Sequence, residues 1–437
     1  MDALTIGYVC VGLMIVSLFL GIPVAAAMGV LGMAGMALAV GSAFAIGQLR
    51  TLPYAVVSNY DYAVLPMFVL MGTIISNSGM TERLFYAAEV WLQRLRGGLY
   101  MAVIAGSAVF AAVNGSTVVS SVVFTRIAYP EMLRYNYPRS LSIGSICATG
   151  SFAAMIPPSI TMVLYAIICE QSVGQLLIAG IIPGILTALV YAGGVACMVR
   201  IWPKLAPPVR EAVPLATRLR ALRSTWPVLV LIVLMMGGIY GGFFTPTLGG
   251  SVGAVGALLI ALGRARGRFK EWLPKSLTEA ASISCLIFTI LIGGLLFSRL
   301  VVVTGVVDSF VGVITNVSSS PLSFMIVVSI FYLILGCFID TTSMMIVTLP
   351  FIFPAVLHYQ IDPIWFGIVL VKLIEIAVIT PPVGLNLFAV MSVVDKETSW
   401  RDLVMGVMPF IALEVVVLGL LVAFPGLVTW LPGQMIR

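Results

Sequence analysis

Charged residues are scarce in this sequence: Asp, Glu, Lys and Arg make up 9% of its 437 residues, 61% are hydrophobic, and the mean hydropathy is +1.14. Soluble domains carry ~25% charged residues, and a folded surface with so few cannot be kept wet. A soluble enzyme, a nucleic-acid binder and a disordered scaffold are all excluded. His358 is the single histidine. With no H-E-x-x-H pair, an intramembrane metallo-hydrolase has no centre to build, and the chain reads as something other than an enzyme. No G-x-x-x-x-G-K-[ST] loop is present to cradle a nucleotide. The six cysteines (Cys10, Cys147, Cys169, Cys197, Cys285, Cys337) stand singly, without a CxxC pair, which argues against a disulfide framework or thiolate metal centre. The first apolar run has neither a basic n-region nor an A-x-A site and reads as a retained span.

What fills the sequence instead is apolar runs of spanning length, ~20 residues each. They fall at about 4–22, 24–46, 62–78, 139–170, 174–199, 226–244, 247–263, 281–303, 363–394 and 403–430. The expected fold class is an all-α polytopic membrane protein. Two further blocks, 99–134 and 320–358, are each long enough for two helices but carry a polar cluster midway: NGSTVVSS at 114–121 and FIDTTS at 338–343. Polar backbone at membrane depth is tolerated only inside protein or beside water. Each block therefore reads as a re-entrant helical hairpin whose tip stops partway across; two full spans joined by a polar loop are the other reading. Segments 80–96 and 305–317 follow a glycine after a span and read as arms lying along the membrane.

The net charge of +6 is topological rather than a sign of an anionic partner. With both termini outside and each hairpin returning to its own side, nineteen Lys and Arg fall on the cytoplasmic face, eleven of them in the loops 200–223 and 264–275. Only Arg50 and Arg437 fall outside. That asymmetry sets the orientation: the first hairpin opens to the cytoplasm and the second outward.

Opposite openings call for a search for internal symmetry. Sliding the chain on itself by 224 positions aligns Pro130 with Pro354, Tyr135 with Tyr359, and Pro157-Pro158 with Pro381-Pro382. Five crossings separate the starts of the two halves, and an odd number inverts the second, giving an inverted-topology repeat. The expected organisation is a first repeat over 1–199 (arm 80–96, hairpin 99–134, broken helix 139–170), a basic cytoplasmic loop over 200–225, and a second repeat over 226–437 (arm 305–317, hairpin 320–358, broken helix 363–394).

Shortly after each hairpin a span carries a double proline, in ATGSFAAMIPPS (148–159) and IEIAVITPPVGLN (374–386). Proline removes a helical donor and clashes with the carbonyl four residues back, so main-chain carbonyls lose their helical partners there. With nearby hydroxyls and amides they suit a small hard cation, and discontinuous helices meeting at mid-membrane are the construction of many sodium-coupled carriers. Asn114, Gly115, Ser116, Thr149, Gly150 and Pro157 are the candidates for one sodium site. Asp340, Thr341, Thr342, Thr380, Pro381 and Gly384 are those for a second. Substrate is expected between the tips, near Ser116, Thr117, Thr341, Thr342 and Ser343. Close helix packing by small polar residues is the alternative for either break alone. Lys372 and Glu375, three apart within a span, can pair on one helix face; Glu414, in the last span, faces either another helix or a partner subunit.

The run NGSTVVSSVVFTRIAYPEMLRYNYPRS, with IPPSITMVLYAI and AGIIPG, resembles the large membrane subunit of tripartite ATP-independent periplasmic (TRAP) transporters. GCFIDTTSMMIVTLPFIFPAV and ITPPVGLNLFAV resemble its second-half counterpart, so the likeness covers nearly the whole chain. At the first tip this sequence has Gly115-Ser116-Thr117 where the family has Gly-Ser-Ser, so the hydroxyl is kept. The resemblance implies sodium and substrate at the hairpin tips and broken helices, and an elevator in which these slide against a scaffold of the remaining spans. It further implies a bacterial inner-membrane location, a separate small four-helix membrane subunit (the Q type), a periplasmic binding protein that delivers substrate, and a small organic anion as cargo, with uncharged or zwitterionic solutes also open. Lipid is the surrounding partner; neither nucleotide nor nucleic acid is expected. A stand-alone sodium- or proton-coupled anion symporter of the same superfamily is the rival reading.

Overall fold

The computed structural model describes residues 2–207, 213–264, 266–318 and 320–435, and every described element is helical. Arg437, placed above on the outer face, and Arg210 of the basic loop lie outside the described residues. The first half comprises α1 (Ala3–Phe19), α2 (Val24–Ala39), α3 (Ser42–Ser58), α4 (Val64–Asn77), α5 (Met80–Leu92), α6 (Gly98–Asn114), α7 (Thr117–Arg134), α8 (Arg139–Gly150), α9 (Phe152–Met155), α10 (Ile160–Ile168), α11 (Val173–Ala179) and α12 (Ile181–Ile201). The second comprises α13 (Leu215–Tyr240), α14 (Pro246–Arg264), α15 (Phe269–Val303), α16 (Val306–Val317), α17 (Pro321–Leu335), α18 (Thr341–His358), α19 (Pro363–Val378), α20 (Leu385–Met391), α21 (Trp400–Ala423) and α22 (Gly426–Gly433).

Six of these stretches are long and apolar enough to cross a membrane, and two bent pairs bring the number to eight. The hairpins α6–α7 and α17–α18 and the broken helices α8–α10 and α19–α20 lie where the polar clusters and double prolines put them. The 224-residue offset superposes α7 on α18 residue for residue, with Ser116 and Asp340 as their N-caps and Tyr135 and Tyr359 as their C-caps. Arms α5 and α16 each start behind a left-handed glycine, Gly79 and Gly305.

Several boundaries differ from the sequence reading. The run 24–46 is not one span: α2 stops at Ala39, Gly41 takes φ 128°, and α3 begins at Ser42. Arg50 therefore sits within α3 rather than in a loop. Helix α3 and the segment 60–77 form a pair bent by 54° across the polar stretch Ser58-Asn59-Tyr60-Asp61. Its counterpart α15 crosses the same length unbroken, 35 residues from Phe269 to Val303. Much of the expected loops 200–225 and 264–275 is helical, because α13 begins at Leu215 and α15 at Phe269. Last, the run 403–430 ends at Ala423, and Pro425 starts the short α22.

Packing sorts the helices into two groups. Helix α15 lies against α2, α3 and α4, and α14 against α4 and α13. The hairpins and broken helices pack on one another and on α12 and α21. The terminal span of each half thus belongs with the hairpins rather than with the remaining spans. The physical reason is polar as well as apolar, since Tyr191 on α12 and Glu414 on α21 meet in a buried hydrogen bond of 2.7 Å. Arms bridge the groups: α5 packs on α6 and α13, and α16 on α15 and α18. Beyond the last break, Arg139 at the start of α8 pairs with Asp395 (3.2 Å) and with Glu397. The hydroxyl of Thr398, bonded to Asp395, holds that carboxyl below its ordinary value, with Arg139 adding to the effect.

Candidate functional site

Each hairpin tip is made by a helix end, a sharp reversal and a capped helix start. In the first, α6 ends at Asn114, Gly115 turns the chain at φ 64°, and Ser116 accepts the Val119 N–H at 3.5 Å. Left-handed φ is costly with a Cβ, and a Cβ here would stand 3.0 Å from the Pro158 carbonyl oxygen. The tip therefore lies directly on the broken helix. Asn114 donates through Nδ2 to Ser116 O (3.0 Å) and to Ser120 Oγ (3.1 Å). Thr149 accepts from Ser107 on α6 at 3.2 Å, while a Cβ on Gly150 would fall 1.9 Å from Ser121 Oγ on α7. Pro157 is buried in the break. One carbonyl left over by the break, Ala154, is taken by the Ser159 hydroxyl, so not every carbonyl there is open to a cation.

The second unit repeats the plan with different chemistry. Asp340 caps α18, accepting the Ser343 N–H at 3.0 Å. Gly384, at φ 57°, donates its N–H to Cys337 O (3.3 Å), and Cys337 Sγ lies 3.7 Å from Pro381 O. Those two contacts seat the tip on its break. Thr380 turns its hydroxyl back to Ile376 O at 2.6 Å. Thr341 and Thr342 are half-buried at the tip, Ser343 is buried one residue on, and Thr117 is buried at the first tip. Among the described residues no hydrogen bond joins Ser116 or Thr117 to Thr341, Thr342 or Ser343. The halves interlock instead through their breaks: α20 packs on α7 and α8, and α10 on α18 and α19. Both Pro-Pro peptide bonds, Pro157–Pro158 and Pro381–Pro382, are cis.

Two residues stand out that the spacing of motifs did not single out as site residues or partners. Asn386, two residues beyond Gly384 on α20, is fully buried, and neither Oδ1 nor Nδ2 has a partner. A buried amide without hydrogen bonds is costly, and this one sits on the element that joins the second break to the first hairpin. Its signal was the final residue of ITPPVGLN, a lone amide in an apolar helix. Glu414 proves to face Lys372 (2.9 Å), which also contacts Glu375 as the three-residue spacing suggested. One stretch, Gly249-Gly250-Ser251-Val252-Gly253, fits the G-x-S-x-G spelling of a nucleophile elbow. It lies inside α14, where Ser251 donates to Thr247 O at 3.0 Å, with no strand or turn to expose the serine. A cleft of about 370 Å³ lined by Ser172, Gln175 and Asp362 takes in none of the tip residues.

A helical membrane protein in which a capped hairpin and a proline-broken helix recur in both halves has the construction of an inverted-repeat secondary carrier. The overall fold resembles that of the Alcanivorax borkumensis YdaH transporter, with a TM-score of 0.62 over 95% of this chain and 98% of that chain at 14% identity. Residues 11–427 match the family described as tripartite ATP-independent periplasmic transporter, DctM component, and the chain belongs to that family. It is accordingly a multi-pass protein of the inner membrane. The C4-dicarboxylate TRAP transporter large permease protein DctM of Pseudomonas aeruginosa is 35% identical over 335 residues, 77% of this chain and 78% of that one. The isethionate TRAP transporter permease protein DctMQ of Oleidesulfovibrio alaskensis is 27% identical over 424 residues, covering 95% of this chain but 65% of that longer protein.

Proposed function

We propose that this chain is the large permease subunit of a sodium-coupled tripartite importer of a small organic acid, moving its cargo by an elevator displacement. The observation carrying the reading is the recurrence of one unit, a capped hairpin tip seated on a double-proline break. Among the described residues no three His, Cys, Asp or Glu gather as a metal cluster. What the two units offer is carbonyl, hydroxyl and amide oxygen, with the Asp340 carboxyl in the second, the donor set of a hard cation. In the first unit Asn114, Gly115, Ser116, Thr149, Gly150 and Pro157 would surround one sodium ion. In the second, Asp340, Thr341, Thr342, Thr380, Pro381 and Gly384 would surround another, with the Asn386 amide as an added ligand to ion or substrate.

Substrate would lie between the tips, near Ser116, Thr117, Thr341, Thr342 and Ser343, where the N-termini of α7 and α18 present N–H groups and positive dipole ends to an anion. C4-dicarboxylate and isethionate, in the names of the two relatives, are both small organic anions. Sodium would order the tips first and thereby pre-form the anion site. The moving body is the group of hairpins, broken helices, α12 and α21; α1–α4 and α13–α15 form the scaffold, and arms α5 and α16 the connections between them. A small membrane subunit would complete the membrane part of the assembly. A periplasmic binding protein would bring the substrate.

Vesicles reconstituted with this chain, a small subunit and a binding protein test the reading with labelled C4-dicarboxylate and isethionate. Uptake of at least one is expected under an inward sodium gradient, with loss of at least tenfold when the gradient or the binding protein is withheld. Equal uptake by this chain alone would favour the stand-alone symporter.

A further inference from the structure

Away from the hairpin tips, a second polar cluster is sealed inside the hairpin group. Lys372, Glu375 and Glu414 are fully buried, and among the described residues they are the only charged side chains so enclosed. Lys372 Nζ donates to Glu414 Oε2 (2.9 Å) and Thr187 Oγ1 (2.9 Å), and contacts Glu375 Oε2. It is the one cation among these three side chains. The Thr187 hydroxyl donates its own hydrogen bond to Pro183 O at 2.8 Å, which leaves its oxygen as an acceptor for Lys372. Glu414 accepts from Lys372 on one oxygen and from Tyr191 (2.7 Å) on the other, the environment of an ionised carboxylate.

Glu375 is different. Neither of its carboxyl oxygens has a hydrogen-bond partner, and the lysine that its Oε2 contacts is already matched by Glu414. With both carboxylates ionised the cluster would hold one negative charge that nothing nearby offsets. The other buried titratable groups on the helices around it include Cys147 on α8, Tyr165 on α10, bonded to Pro363 O, Cys169 at the end of α10, and Tyr332 on α17, bonded to Thr348. The cations on those helices, Arg139 on α8, Arg200 on α12 and Arg401 on α21, lie outside the buried interior. An uncompensated buried charge is strongly unfavourable, and a carboxyl in such a setting takes up a proton instead.

We propose that the Lys372–Glu375–Glu414 cluster binds one proton, taken from solvent and carried on Glu375, and that this neutral cluster is a proton-binding site separate from the hairpin tips. The inference stands apart from sodium coupling. The geometry assigns the ammonium to Lys372, the carboxylate to Glu414 and the neutral acid to Glu375.

Infrared spectra of the purified protein test this directly, because only these two carboxyls are fully buried among the described residues. Wild type is expected to show the carbonyl stretch of a neutral carboxylic acid at neutral pH. E375Q and E414Q should each lose it, since either leaves one ammonium facing one carboxylate. Linkage supplies a second readout. A proton held by the folded protein and released on unfolding makes stability fall as pH rises, so the thermal midpoint of wild type should fall as pH rises from the ordinary carboxyl range to the pH at which the folded cluster gives up its proton, while that of E375Q stays flatter. Absence of the acid band in wild type would overturn the proposal, as would a band that persists unchanged in both variants. Should either variant fold poorly, the wild-type band at neutral pH and its loss under alkaline conditions decide the matter alone.

Discussion

Lys372→Met is expected to destabilise the protein by about 3–5 kcal/mol, the cost of breaking a buried ion pair from one side. The side chain is sealed between α19, α21 and α12, and its ammonium is the single positive charge facing Glu414 and Glu375. Methionine keeps the bulk but leaves Glu414 buried with no cation to match it. Water cannot reach it to help. The double variant K372M/E414Q removes that carboxyl as well, and should recover a large part of the loss, a non-additivity typical of contacting residues. Thermal unfolding in detergent, read by the loss of a monodisperse peak, measures both. Equal midpoints for K372M and wild type would show that the cluster contributes no net stability.

The second large effect is expected from Gly406→Ala. Helices α8 and α21 cross so closely that a Cβ at residue 406 would fall 1.8 Å from Ser140 O, and one at Gly144 would fall 2.1 Å from the Gly406 carbonyl carbon. Both obstacles are backbone, which cannot rotate aside as a side chain can. Small residues at such crossings let membrane helices approach closely. Overpacking of this kind costs about 1–3 kcal/mol or more, and here it would also separate the first broken helix from the span behind it. Gly419→Ala on the same helix is the control, since nothing lies within 4 Å of a Cβ there. That variant should keep or slightly raise the thermal midpoint, whereas G406A lowers it and reduces the folded yield.

The features most legible in the sequence were those in which composition and backbone chemistry coincide. Double prolines cannot sit in a regular helix, and the breaks at 156–159 and 379–384 are where they fall. The N-caps Ser116 and Asp340 were already aligned by the 224-residue offset, and an oxygen-bearing side chain is favoured at such a helix start. Less legible were features that depend on three-dimensional neighbours. The break at Gly41 was hidden in a continuous apolar run, where hydropathy does not register a backbone turn. Helix starts at Leu215 and Phe269 were obscured by basic residues that hydropathy reads as loop, although Lys and Arg are good helix formers. The partner of Glu414 lies 42 residues away in sequence at Lys372, and no periodicity within one helix points to it. Asn386 was visible as a residue but not as an orphan, since its missing partners appear only when the packing around α20 is known.

The account rests on oxygen cages formed by hairpin tips and broken helices, and the most direct test is the sodium activation curve of reconstituted uptake in S116A, T342A and N386A. Each of S116A and T342A is expected to raise the half-saturating sodium concentration about tenfold, equivalent to ~1.4 kcal/mol of lost ion binding; in the absence of sodium the thermal midpoint should stay unchanged in T342A and fall modestly in S116A, which also loses the cap of α7. N386A should lower sodium affinity or maximal uptake, according to whether its amide meets the ion or the substrate. Sodium activation in S116A and T342A indistinguishable from wild type would contradict the assignment of these tips as the sites of ion coupling.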